Sequence, residues 1–238
     1  LDQQKQNDMD TRYGQLTYCS NIHPGESWEQ HFEQLQLHIP LIKKKVNAGG
    51  RFGIGLRLSN IASLELKKER SLLSFINWLE ENNCYVFTMN GFPYGGFHHT
   101  IVKDQVHAPD WTTHDRVDYT IRLAEILSRV LPENMEGGIS TSPLSYRHWH
   151  SDAQFDEVFK KTTSHLLEVI VKLIDIKKNT GKTIHIDIEP EPDGLLESGT
   201  EFLKWYEDYL LPLGTSLLNK HFGWTNELST KSLKEHVQ

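Results

Sequence analysis

The segment at residues 183–196 places acidic and histidine side chains where they could do chemistry. Isoleucines at positions 184, 186 and 188 alternate there with His185, Asp187 and Glu189. Such alternation is typical of a β-strand, so the three polar side chains are expected on one face. The sequence PEPDG that follows cannot continue a central strand, which puts Glu189 at the strand's carboxyl end. In α/β sheets and barrels, catalytic groups are found at that end.

Two carboxylates on one strand face can hold a divalent metal or act as an acid–base pair. We predict Glu189 as a catalytic residue and metal ligand, because an inward carboxylate is costly to bury without a partner. Asp187 and Glu191 are further metal-ligand candidates. Asp187 could instead belong to a buried hydrogen-bond network, and Glu191 could be a loop charge in water. The predicted cofactor is a divalent metal: Mn, Mg, Zn or Fe.

Other candidates follow the remaining predicted strands. His23 is a candidate catalytic residue, because a histidine at a strand end can carry a proton. Arginines after the second and fourth strands suit anionic or sugar oxygens, with ion pairing to acidic neighbours as the alternative. The loop at residues 90–99 combines aromatic residues with three glycines, which suits a wall or lid over a small ligand. The predicted substrate-binding residues are Asn21, Arg57, Asn90, Phe92, Tyr94 and Arg147.

The positions of these residues depend on a repeated strand–helix pattern. Strands are predicted at residues 15–19, 51–58, 84–89, 136–141 and 184–188, each followed by a helical pattern. Such units imply a parallel sheet. At this spacing a closed eight-unit barrel would need roughly 300 residues or more. The predicted fold is therefore α/β, of the (β/α) TIM-barrel type, with only about five βα units and an incomplete or truncated barrel.

Some details of the helices are also predicted. Ser27 begins a capping box for a helix that Pro40 is expected to kink. A single helix is predicted over residues 64–82, and a later helix is expected to break at Pro212. From residue 223 the chain is polar with weak periodicity, so no helix is predicted there.

Composition narrows the class of protein. The 238 residues carry a net charge of −7 without a basic block, which argues against nucleic acid as a partner. No apolar stretch suits a membrane span, and the N-terminus lacks a signal core, so a cytoplasmic protein is expected. Residues 1–8 are predicted to be a disordered lead, and residues 9–238 a single barrel-type domain, the N-terminal portion of a longer barrel. Cys19 and Cys84 are expected to be buried free thiols.

Four segments together resemble a known family. They are TYCSNIHPGE at residues 17–26, FTMNGFPYG at 87–95, STSPLSYR at 140–147 and HIDIEPEPDG at 185–194. The IDIEP strand is similar to the LxxEP strand of the xylose isomerase-like TIM barrels, the sugar phosphate isomerase/epimerase group. The whole set is similar to the EboE family of metabolite traffic proteins, from residue 9 onward.

The resemblance implies a metal-dependent isomerase- or epimerase-like protein acting on a small polyhydroxylated or carbonyl metabolite, linked to secondary-metabolite processing or export. In the family, the glutamate matching Glu189 binds a divalent metal and moves a proton next to a carbonyl. The other family ligands come from later strands without a counterpart here, so only Glu189 carries over as a ligand, with His23 as a pocket residue. Expected partners are the metabolite and either proteins of a metabolite-export cluster or a second copy of the chain.

Two alternative functions stay open. The first is a non-catalytic component that binds a metabolite or a partner protein. The second is a glycoside hydrolase, because Asp187 and Glu189 resemble the DxE strand of chitinase-like barrels, although His185 stands where those enzymes carry a further aspartate.

Overall fold

The computed structural model describes residues 9–95 and 103–238, so the predicted lead at residues 1–8 lies outside the described residues. Its centre is a parallel sheet of five strands in sequential order. A short antiparallel pair precedes this sheet. The strands are β1 (Asp10–Thr11), β2 (Gly14–Gln15), β3 (Tyr18–Cys19), β4 (Phe52–Arg57), β5 (Cys84–Asn90), β6 (Gly137–Thr141) and β7 (Ile184–Ile188).

Sequential parallel order is the arrangement of a (β/α) barrel, so the predicted α/β barrel-type fold class is confirmed. The predicted first strand is divided between β2 and β3. The helices are α1 (Trp28–Val46), α2 (Asn60–Leu66), α3 (Glu69–Glu81), α4 (His114–Val130), α5 (Phe155–Thr180), α6 (Gly199–Trp205), α7 (Leu211–Phe222) and α8 (Asn226–His236). Among the described helices, none combines the length and apolarity needed to cross a membrane.

Helix boundaries follow local chemistry, and three differ from the prediction. Ser27 forms the predicted capping box at the start of α1, which continues through Pro40. The predicted helix at residues 64–82 is two helices, α2 and α3. Pro212 does not break a helix: a π-helical turn (Tyr206–Leu210) leads directly into α7, where Pro212 stands in the first turn. The Leu211 amide donates to the Tyr206 carbonyl across the π-helical turn, so the chain stays helical up to Pro212, whose ring requires only a helical φ.

The third difference is α8, for which the sequence predicted no helix. Thr225 caps it by accepting a hydrogen bond from the Leu228 amide. Its buried residues include Leu233 and His236. The helix is therefore stabilised by its cap and by a narrow contact with the core. Because so few of its buried residues are apolar, the sequence shows no clear helical period there.

The two faces of the sheet differ in chemistry. One face is buried and apolar, and its residues are Phe52, Ile54, Leu56, Val86, Met89, Ile139, Ile184, Ile186 and Ile188. We call the opposite face the polar face. On β7 the predicted alternation is confirmed, because the isoleucines are buried while His185 and Asp187 are half-buried on the polar face.

The two cysteines lie in different environments. Cys84 is buried, and burial raises the pKa of its thiol to about 11, which keeps it unreactive at neutral pH. The prediction that Cys19 is buried is wrong, since the residue is exposed. Cys19 lies at the end of β3, the edge strand of the sheet, beside Gly55.

The residues after α8 extend the sheet beyond β7. Val237 pairs in parallel with Ile186. The Gln238 amide donates to the Ile186 carbonyl, and the Gln238 carbonyl accepts from Ile188, both at 2.9 Å. The buried His236 has its Nδ1 2.7 Å from the Ile184 carbonyl oxygen. A carbonyl only accepts, so His236 Nδ1 carries the hydrogen and links α8 to β7.

We expect the free energy of unfolding to fall less in mild acid when His236 is replaced by glutamine. Burial lowers the pKa of His236 below its ordinary value of 6.5. As pH falls below about 6.5, the unfolded chain therefore takes up a proton that the folded chain does not, and stability is lost. One such proton changes the free energy of unfolding by at most about 1.4 kcal/mol per pH unit. Urea unfolding of both proteins at pH 7, 6 and 5 measures this slope.

Replacement of His221 by glutamine is the matched control, because this histidine lies at the surface rather than in the core. We expect the slope of that variant to equal the wild-type slope. An unchanged slope in the His236 variant would mean that His236 is not held neutral by the fold.

Candidate functional site

The register of the sheet brings together polar residues that the sequence suggested separately. Arg57 pairs with Asn90, Asn90 with Ser140, and Ser140 with Asp187. Neighbouring strands lie about 4.8 Å apart, so these four residues form one row at the carboxyl edge of the polar face. We call this region the carboxyl edge.

Arg57 is buried, and its guanidinium binds the surrounding loops. It donates to the carbonyl oxygens of Gly95 at 2.6 Å and Gly25 at 3.2 Å. It also forms an ion pair with Glu26 at 3.3 Å. The ion pair agrees with the alternative to substrate binding, in which Arg57 pairs with an acidic neighbour. Together the contacts fix the loops that follow β3 and β5.

His185 and Asp187 form a hydrogen-bonded pair on the polar face. His185 Nδ1 lies 2.5 Å from Asp187 Oδ1, and a carboxylate only accepts, so Nδ1 carries the hydrogen. The pair lies over Gly138, where an added Cβ would come within 2.5 Å of Asp187 Oδ2. The missing side chain at Gly138 therefore leaves the space that the pair occupies.

Glu189 and Glu191 follow the pair into the loop after β7. Glu189 is exposed, and its amide donates to the Thr141 carbonyl at 3.0 Å. Burial, together with the charge of Glu189, raises the pKa of Glu191. Glu191 Oε1 lies 3.2 Å from Nε2 of His107. Burial, together with the charge of Arg116, lowers the pKa of His107.

His107 is the buried imidazole of this cluster, and no sequence motif points to it. A raised carboxyl pKa and a lowered imidazole pKa bring the two groups closer in proton affinity. Because the two groups lie within hydrogen-bond distance, a proton can pass directly between Glu191 and His107. His107 follows a long loop without a periodic pattern, so only its contact with Glu191 reveals it.

Aromatic residues surround His107. Its ring centroid lies 5.4 Å from that of Phe92, 5.2 Å from Tyr146 and 6.4 Å from Trp149. Phe92 therefore forms part of an apolar wall at this site. Asn90 Oδ1 accepts a hydrogen bond from the Phe92 amide at 3.0 Å, which shapes the start of the loop. The rest of the predicted lid, residues 96–99, lies outside the described residues.

Two other predicted residues contact the helix layer. His23 lies 3.0 Å from the Tyr18 hydroxyl and stacks on His38 of α1, with ring centroids 4.6 Å apart. Tyr94 packs edge-on against Tyr119 of α4 at 5.1 Å. Both residues thus contact helices of the layer that covers the sheet, and His23 also contacts the edge strand β3.

Arg147 and Asn21 complete the set. Arg147 donates to the carbonyl oxygens of Gly194 and Leu195, both at 3.2 Å, and to Glu201 at 2.8 Å. It therefore fixes the loop between β7 and α6. Asn21 is half-buried in the 3-10 turn (Ser20–Ile22) after β3.

The donor types at the carboxyl edge suit a divalent cation, but their spacing does not. Carboxylate oxygens and imidazole nitrogens are ligands of Mg²⁺, Mn²⁺ and Zn²⁺. In the described part of the chain, the group with three donor atoms within 4.8 Å of one another consists instead of His114, His165 and Glu168. We therefore derive no catalytic step through a metal at Glu189.

Comparisons with known proteins add one structural similarity. No family model matches the chain, and no curated protein matches it. Among solved structures, the chain is similar to the IOLI protein, whose 1.8 Å crystal structure contains a zinc atom, with 13% sequence identity and a TM-score of 0.47. The similarity covers 81% of this chain and 59% of the IOLI chain. A similarity at this level carries no functional information, and the fold class rests on the strand order.

Proposed function

We propose that the protein is an isomerase- or epimerase-like enzyme that moves a proton on a small polyhydroxylated or carbonyl metabolite. The main support is the cluster of Glu189, Glu191 and His107 at the carboxyl edge. Isomerisation next to a carbonyl needs a base that removes a proton from carbon and an acid that protonates the carbonyl oxygen. The other hydroxyl of the enediol then loses its proton and becomes the new carbonyl, while the former carbonyl carbon is protonated.

The exposed Glu189 carboxylate is the proposed base. Glu191 and His107 are the proposed proton carriers for the oxygen, because their shifted pKa values favour exchange between them. Asn90 and Asp187 would hydrogen-bond to substrate hydroxyls, and Phe92 would exclude water from one side. The link to secondary-metabolite processing or export, and to other proteins of such a system, rests on the EboE resemblance.

Replacement of Glu189 by glutamine tests the proposal. We expect the wild-type protein, with and without added Mn²⁺, Mg²⁺ or Zn²⁺, to exchange the proton next to the carbonyl in a panel of ketoses incubated in D₂O. The variant should exchange about 10²- to 10⁴-fold more slowly, because it lacks the base. Proton NMR of the sugars measures the rate. The exposed Glu33 on α1, replaced by glutamine, is the control and should leave the rate unchanged.

Equal exchange rates in the wild-type and Glu189 proteins would contradict the role of Glu189. Binding of a ketose without exchange would favour the non-catalytic binding component. Hydrolysis of a chitin oligomer without added metal would favour the glycoside hydrolase.

A further inference from the structure

A second cluster of chemically active side chains lies between α4 and α5. His114 is the first residue of α4. His165 and Glu168 are three positions apart on α5, so they lie on the same helix face. The donor atoms of the three residues all lie within 4.8 Å of one another. No spacing in the sequence predicts this cluster, because its residues become neighbours only when the two helices pack.

The buried His165 is held in a tautomer that suits a metal ligand. Its Nδ1 lies 2.8 Å from the carbonyl oxygen of Trp111, which fixes the hydrogen on Nδ1 and leaves the Nε2 lone pair free. Metal-binding histidines are commonly held this way, by a hydrogen bond from the ring nitrogen that does not bind the metal. The Trp111 indole in turn donates to Thr141 Oγ1 at 3.1 Å, which ties this support to the end of β6.

The other two side chains are accessible and can move. The side chain of His114 is 68% exposed and that of Glu168 is 48% exposed, with His114 Nδ1 3.8 Å from Glu168 Oε2. This separation is too long for a hydrogen bond. Ligand atoms about 2.0–2.2 Å from a tetrahedral zinc ion lie about 3.3 Å apart, so small side-chain rotations would bring the two into place.

We propose that His114, His165 and Glu168 form a Zn²⁺ site that ties the start of α4 to α5. Two imidazoles and one carboxylate form a donor set that zinc accepts, with water in the fourth position. The two histidine rings lie 4.4 Å apart between centroids, so their nitrogens can converge on one ion. This site is independent of the proposed proton transfer at the carboxyl edge.

The test is a titration of the chelator-treated full chain, without an affinity tag, with Zn²⁺ against a chromophoric chelator. We expect one ion per chain. A zinc concentration about a hundredfold above the dissociation constant should raise the thermal midpoint by about 5–10 °C, because the ion binds only the folded chain. Replacing Zn²⁺ with Co²⁺ should give the visible spectrum of a tetrahedral site.

Variants of the two exposed ligands locate the ion without disturbing the core. His114→Gln and Glu168→Gln should each weaken binding about tenfold or more, and the double variant should lose the thermal shift. Glu189→Gln should bind zinc as the wild type does. The proposal is overturned by a wild-type chain that binds no zinc, by a double variant that binds it equally well, or by loss of binding in the Glu189 variant alone.

Discussion

Replacement of Arg116 by methionine is expected to lower the free energy of unfolding by about 3–5 kcal/mol. Arg116 lies on α4 and is fully buried. It donates to the carbonyl oxygens of Gly91 at 2.7 Å, Phe92 at 3.0 Å and Pro109 at 2.8 Å. Methionine fills much of the volume but donates no hydrogen bond, so three carbonyl groups of the loop after β5 lose their donor. Urea unfolding at pH 7 measures the difference.

Replacement of Arg129 by methionine is the matched control. Arg129 lies on the same helix, but its ion pair with Glu69 is exposed to water. Exposed pairs contribute little to stability, so we expect this variant to unfold close to the wild-type midpoint. Equal losses of unfolding free energy in the two variants would mean that burial of the Arg116 guanidinium does not determine how much it stabilises the fold.

The Arg116 variant also has a local consequence. Arg116 binds residues on both sides of the segment that carries His107. In the variant, we therefore expect this segment to open more often than it does in the wild type. Hydrogen exchange measures this opening. If the substitution speeds exchange at residues 103–107 more than it does in β6, then Arg116 positions the His107 side of the candidate site.

The strand that carries the candidate site could be predicted from sequence because two independent signals agree there. Alternating isoleucines fix which face of β7 is buried, and PEPDG fixes where the strand ends. The alternation therefore placed His185 and Asp187 on the polar face. The pairing partners could not be predicted, because a parallel sheet fixes its register through packing of whole βα units rather than through local sequence.

For the candidate site residues outside β7, the sequence predicts less about the contacts of their side chains. A strand-end position indicates that a residue lies near the carboxyl edge, but it does not indicate which layer its side chain contacts. A 3-10 turn follows β3, and His23 packs on His38 of α1. Arg57 lies in the row at the edge, yet its charge is matched by Glu26. Such contacts depend on loop conformation, which residue type alone does not determine.

Replacement of Trp111 by alanine is expected to lower the free energy of unfolding by about 3–5 kcal/mol. The Trp111 side chain is fully buried, and its indole N–H donates to Thr141 Oγ1 at 3.1 Å. Alanine would leave a cavity where the ring packs and would remove the donor from the hydroxyl at the end of β6. Thermal and urea unfolding measure the loss.

Trp149 provides a control with the same side chain, whose indole also donates one hydrogen bond. Its indole N–H donates to Asp104 Oδ2, also at 3.1 Å, but the residue is 37% exposed. The carboxylate acceptor of Trp149 makes its hydrogen bond the stronger of the two, so a larger loss in Trp111→Ala would report the buried ring rather than the hydrogen bond. We expect Trp149→Ala to lose only a small fraction of what Trp111→Ala loses. Comparable losses of unfolding free energy in the two variants would mean that the core closes around alanine at position 111. The contacts from β6 through Trp111 to α5 would then not depend on the indole.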